Sequence, residues 1–127
     1  MPLSSLGPWW RTWPRWAHLL VLTTWTAAIS IATLLPSSAL PASDWLGFDK
    51  LAHVVGWGGV GMLAFPVFRR PPASLLAASL HGALIEILQR YIPGRSSELL
   101  DWVADVMGAA LGVSLAQWLW KRDPDAP

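Results

Sequence analysis

Glu86-Ile87-Leu88-Gln89-Arg90-Tyr91-Ile92-Pro93-Gly94-Arg95-Ser96-Ser97-Glu98-Leu99-Leu100-Asp101, continuing through Trp102 to Asp105 and an apolar run to Gly112, decides how this chain folds. Two strongly apolar segments flank a short polar turn, and the charge does not stay in the turn. Glu86 and Gln89 run back into the first segment; Asp101 and Asp105 run forward into the second. Charge inside a helix apolar enough for a membrane is expensive, and where it occurs it marks a functional candidate or a paired structural ion. Pro93-Gly94 ends the first segment as a helix stop and turn, and Ser96 or Ser97 is placed to cap the second, with Glu98 in its first turn.

Outward from this hairpin the chain is equally apolar. Of 127 residues, 54% are hydrophobic and only 13% are charged, about half the charge of an average soluble domain. Ala17 to Leu35 carries no charge and ends at Pro36; at 1.5 Å per residue it spans roughly 28 Å, the thickness of the hydrocarbon layer. The h-region of a cleavable signal is shorter, and further apolar segments follow, so this one reads as a retained helix. A loop with Asp44, Trp45 and Asp49 leads to a second segment, Leu51 to Phe68, rich in glycine and stopped by Arg69-Arg70-Pro71-Pro72. Asp49 is placed to N-cap that segment, and His53 lies in its first turn. The expectation is an all-α polytopic membrane protein, a single domain over 1–127. Its compact four-helix bundle has spans at about 17–35, 51–68, 73–92 and 102–120, an interfacial Trp/Arg stretch over 1–16 and a mobile tail over 121–127.

The basic residues orient this bundle. Arg11, Arg15, Arg69, Arg70, Lys121 and Arg122 fall on one side of a four-span topology; only Lys50, Arg90 and Arg95 fall on the other. The positive-inside rule then predicts cytoplasmic N- and C-termini in a bacterial inner membrane. Eight of the ten tryptophans sit near the ends of spans, all but Trp25 and Trp57, as expected of indoles that favour the headgroup layer. His18 reads as interfacial. His81, near mid-membrane, reads as a neutral packed residue with a second option of reaching Glu86. The chain has no cysteine, so disulfides and thiolate metal sites are excluded. No basic tract suits nucleic acid. No HExxH, nucleophile elbow or phosphate loop is present, so no cofactor or metal is expected.

The predicted orientation collects Asp49, Lys50, His53, Glu86, Gln89, Arg95, Asp101 and Asp105 on the outer side. Asp49-Lys50-x-x-His53, Glu86-x-x-Gln89, Pro93-Gly94-Arg95 and Asp101-x-x-x-Asp105-x-x-Gly108 together resemble the VanZ-like family of bacterial membrane proteins. The resemblance covers residues 17 to 120, and the family takes its name from an accessory protein of teicoplanin resistance. It implies a role in the cell envelope and supplies no settled reaction. Three readings of the cluster stand open. It is a lock in which Arg95 bridges Glu86, Asp101 or Asp105. Or it is a pocket for a lipid-linked or glycopeptide-type ligand, with Arg95 as a fork for phosphate or carboxylate. Or it is catalytic, with His53 paired to a carboxylate or several of these groups holding a metal. The pocket is the function to which the resemblance points, and an enzyme is the less favoured alternative. Gly108-x-x-x-Gly112 signals close helix packing, within one chain or in a homo-oligomer. The bilayer itself is the other expected partner.

Overall fold

A computed structural model describes residues 9–39 and 48–121. A short 3-10 turn, Trp9–Thr12, leads into α1 (Arg15–Leu34); a second, Ser37–Ala39, follows it. The remaining elements are α2 (Phe48–Phe68), α3 (Pro71–Gln89) and α4 (Leu99–Lys121). All four helices are long and apolar enough to cross a membrane. This is the all-α, four-span class that the apolar runs predict. The segments outside the described residues are Met1 to Pro8, the loop with Asp44 and Trp45, and the tail beyond Lys121, where mobility was expected; Lys121 itself closes α4.

Local chemistry sets the helix boundaries. Pro14 precedes α1 in extended geometry, and Leu35 leaves it in the same region just before Pro36, as residues ahead of proline do. Within α1 the hydroxyls satisfy themselves: Thr23, Ser30 and Thr33 donate to the carbonyls of Leu19, Thr26 and Ile29, each at 2.7 Å. That back-bonding lets hydroxyls sit in an apolar surrounding without unmet donors. Two residues, Arg69 and Arg70, join α2 to α3. Arg69 takes the left-handed region (φ 58) and Arg70 is extended, and Pro71 and Pro72 then open α3, where missing N–H groups cost nothing. Neither Ser96 nor Ser97 caps α4. Its start falls at Leu99, with the Glu98 carbonyl accepting from Asp101 N–H at 3.0 Å. Asp49 likewise lies inside the first turn of α2 rather than capping it.

The bundle is polar inside and apolar outside, the reverse of a soluble domain. Leu20, Ile31, Leu76, Leu80, Leu84, Met107 and Leu111 face outward, while His53, Glu86, Gln89, Asp101 and Asp105 are buried. An aqueous fold could not leave so much aliphatic surface wet; hydrocarbon accepts it. The apolar core is thin, with Trp57, Val60, Ala78, Ile85 and Ala109 as one cluster and Phe65, Val113 and Ala116 as another.

The tightest packing joins α2 to α4. A methyl group at Gly108 would overlap the Val54 carbonyl, and one at Gly112 the Gly58 carbonyl. The glycine face is therefore covered by α2 of the same chain. The Trp102 indole donates to the Ser79 carbonyl at 3.1 Å, tying α4 to α3, and the Trp25 indole donates to the Gly56 carbonyl at 2.9 Å, tying α1 to α2. Trp25 and Trp102 thus act as helix-to-helix donors within the bundle.

One end of the bundle gathers aromatic and basic groups. The Arg69 guanidinium lies 3.8 Å from the Trp120 ring centroid, Trp10 packs on the same indole at 5.4 Å, and Arg11 donates to the Leu119 carbonyl. Burial, with Arg11 nearby, pushes Arg69 below the usual guanidinium range. The first turn, the α2–α3 link and the last turn of α4 thus meet, as a four-span topology requires. The opposite end holds the acids.

Candidate functional site

Three helices converge at the acidic end. Asp49 and His53 are i,i+4 on α2, Asp101 and Asp105 are i,i+4 on α4, and Glu86 and Gln89 are i,i+3 near the end of α3, so each pair shares one helix face. Burial there is nearly complete: His53 is 4% exposed, Glu86 7%, Gln89 2%, Asp101 4% and Asp105 0%.

Charge pairing divides this cluster into two layers. Nearest the helix ends, the Lys50 ammonium bonds Asp101, lies 2.8 Å from Glu98 and 3.9 Å from Asp49. One cation thereby serves three carboxylates and joins α2 to the start of α4. The ammonium holds the Glu98 carboxyl below its ordinary value of 4.5. Deeper in, His53 Nδ1 lies 2.7 Å from Asp105 Oδ1. Glu86 Oε2 accepts the Glu98 backbone N–H at 3.2 Å. A carboxylate from α3 thus meets one of the free donors at the start of α4, where the helix dipole favours negative charge.

Arg95 does not bridge Glu86, Asp101 or Asp105, which corrects the lock expected from sequence. Its Nε and Nη2 donate instead to the Thr33 carbonyl, at 3.2 and 2.7 Å, and Gln89 Nε2 donates to the same oxygen at 3.0 Å. Thr33 lies in the last turn of α1, where carbonyls have no intrahelical partner and the dipole favours a cation. That terminus is the stronger claim on the guanidinium because the carboxylates already have Lys50 and His53. The turn that carries Arg95 is shaped by Gly94, at φ 74, against Ser37 of the loop after α1.

His81 does not reach Glu86. Its Nε2 lies 2.9 Å from Ser30 Oγ, and its ring stacks on Trp57 at 5.4 Å. Trp57 stacks in turn on His53 at 5.5 Å, so three rings form a column down the bundle. Sequence reasoning passed over Trp57, although its i,i+4 spacing from His53 was the available signal. The Thr33 carbonyl, being backbone, had none.

Asp49, His53, Gln89, Gly94, Arg95, Ser96 and Asp101 line a cleft of about 140 Å³. It has room for a few water molecules or one small polar group. Several buried polar atoms beside or below it have no hydrogen-bond partner among the described residues: Glu86 Oε1, Gln89 Oε1, Asp105 Oδ2 and Trp57 Nε1. Buried polar atoms are nearly always paired, so a group of orphans in one place calls for a ligand, water or ion.

These features define a polytopic helical membrane protein with buried acidic groups gathered at one end of the bundle. The VanZ/LLP1 family model matches residues 3–120, and the chain belongs to that family. No curated protein and no solved structure matches it.

Proposed function

We propose that this protein binds a polar group of an envelope ligand in the cleft between Asp49 and Arg95. The ligand is lipid-linked or of the glycopeptide type, in keeping with the family's association with teicoplanin. In this reading the protein lies in the inner membrane of a bacterium with both termini cytoplasmic, so that the cleft opens outward. The observation that carries it is a polar cleft walled by Asp49, Gln89 and Arg95, with Gln89 Oε1 buried and without a hydrogen-bond partner among the described residues. Acceptors of this kind suit sugar hydroxyls and amide N–H groups, and the guanidinium suits a carboxylate or phosphate. The size of the cleft limits the recognised part to one ring or one amide, with the rest of the ligand in the headgroup layer.

The test is titration of the purified protein in nanodiscs with fluorescent teicoplanin and, separately, with a lipid-linked cell-wall precursor. Saturable binding that Gln89→Ala or Asp49→Asn weakens at least about tenfold, equivalent to 1.4 kcal/mol, supports the reading. Binding that is absent, or indifferent to both substitutions, rejects it.

A second reading rests on the Lys50–Asp101, Lys50–Glu98 and His53–Asp105 contacts, all of which tie α2 to α4. In it the cluster is a clamp that holds the bundle together, and substitutions there change stability and nothing else.

A further inference from the structure

We propose that His53, Glu86 and Asp105 form a binding site for one divalent first-row cation, zinc above all. One potential ligand atom from each residue lies within 4.8 Å of the others, and the three come from three different helices. Ligands of a tetrahedral zinc ion at about 2.0–2.2 Å lie roughly 3.3–3.6 Å from one another. Side-chain movements of about an ångström close the set. An imidazole with two carboxylates is a donor set that zinc accepts, with a fourth position open.

Unspent bonding capacity points to the same place. Glu86 Oε1 and Asp105 Oδ2 are buried without a hydrogen-bond partner among the described residues. Gly82 lets the α3 backbone approach the second of them: a Cβ there would stand 2.8 Å from Asp105 Oδ2 and 2.9 Å from Trp57 Nε1, too close for any larger residue. The supporting contacts are those of a held ligand shell. Glu86 Oε2 is fixed by the Glu98 N–H, and the Trp57 indole stacks on the His53 ring; such outer contacts orient metal ligands.

Charge balance decides between two candidate sets. Asp49, His53 and Asp101 also cluster, but Lys50 already lies within that group. Glu86 and Asp105 pair with no lysine or arginine among the described residues, since Lys50 serves the outer acids and Arg95 the Thr33 carbonyl. Two buried carboxylates share one imidazole, and a membrane interior penalises their charge unless a proton or a cation neutralises it. A divalent cation supplies the missing charge. The cleft, of which His53 forms a wall, is the way in.

The inference does not rest on the ligand proposed above. The full-length protein, stripped with EDTA in detergent, is titrated with Zn2+ by calorimetry, and bound metal is counted by mass spectrometry. One zinc per chain is expected, with Glu86→Gln and Asp105→Asn each weakening binding at least tenfold. No saturable uptake, or a loss that follows Asp49→Asn but not Glu86→Gln, overturns the assignment. Where a variant fails to fold, X-ray absorption of the zinc-loaded wild type decides: an imidazole among oxygen donors is expected, and a shell without imidazole overturns the site. Zinc retained in Gln89→Ala while envelope-ligand binding is lost separates the two proposals.

Discussion

His53 and Asp105 meet at 2.7 Å across the α2–α4 interface, with Asp105 fully buried and His53 only 4% exposed. This contact is the deeper of the polar ties between these helices, the Lys50 contacts to Asp101 and Glu98 lying nearer the helix ends. The adjoining backbones touch through Gly108 and Gly112. The pairing is therefore both an electrostatic and a steric statement about which helices are neighbours.

Removing one partner strands the other. Asp105→Ala is expected to cost about 3–5 kcal/mol, the usual penalty for breaking a buried ion pair. The double replacement His53→Leu with Asp105→Leu is expected to recover a good part of that loss. Unfolding in mixed detergent, run as a double-mutant cycle in metal-free buffer, measures both. Additive single losses with no recovery would show that the two side chains are energetically independent.

Arg95 closes α1 rather than the acidic cluster, so its loss is mild. Arg95→Ala is expected to lower stability by about 1.5–3 kcal/mol, in line with hydrogen bonds to a charged group, and to leave folded yield in detergent intact. Thermal unfolding followed by tryptophan fluorescence reads the change. Collapse of folded yield would restore the lock that the sequence suggested.

Gly108→Ala and Gly112→Ala push a methyl group into carbonyls of α2. Each is expected to cost about 1–3 kcal/mol, as overpacking of close interfaces does. The loss appears as a lower unfolding temperature of the monomer. Light scattering coupled to size exclusion would instead show a changed subunit number if the glycine face joined two copies.

Acidification acts on the outer layer through Glu98. Its folded value lies below 4.5 because the Lys50 ammonium stabilises the carboxylate. The contribution is therefore present above the unfolded value and is lost as pH falls through the folded one. Wild type should unfold at higher temperature than Glu98→Gln at pH 7, and the gap should narrow as pH falls below 4.5 and through the folded value. A gap that persists at the acid end would assign the effect to something other than this ion pair.

The absence of cysteine makes topology directly measurable. With both termini cytoplasmic, Ser97→Cys in intact cells should react with an impermeant maleimide, and Lys121→Cys only after permeabilisation. The opposite pattern would invert the bundle and turn the cleft toward the cytoplasm.

The four helices were legible because a bilayer demands long uninterrupted apolar runs, and prolines 14, 36, 71 and 93 punctuate them. The i,i+4 pairs on α2 and α4 were legible too, since helical geometry alone puts each on one face. Their partners were not. Gly108-x-x-x-Gly112 announces a close neighbour without naming it, and only the fold shows that the neighbour is α2. Arg95 was misassigned because its true acceptor, the Thr33 carbonyl, belongs to the backbone and leaves no mark in the residue pattern. Lys50, not Arg95, bonds the acids, a choice settled by the position of Lys50 as the third residue of α2.

The link of two residues between α2 and α3 has a bearing on biogenesis. So short a connection is expected to bring these helices into the bilayer as one hairpin, with Lys50, His53 and Glu86 carried in together. The carboxylates of α4 leave the insertion machinery afterwards, into a bilayer where their counter-charges already wait. Synthesis order thus spares Asp101 and Asp105 a solitary passage through lipid, and a circularly permuted chain that releases α4 first should stall in the membrane or be degraded.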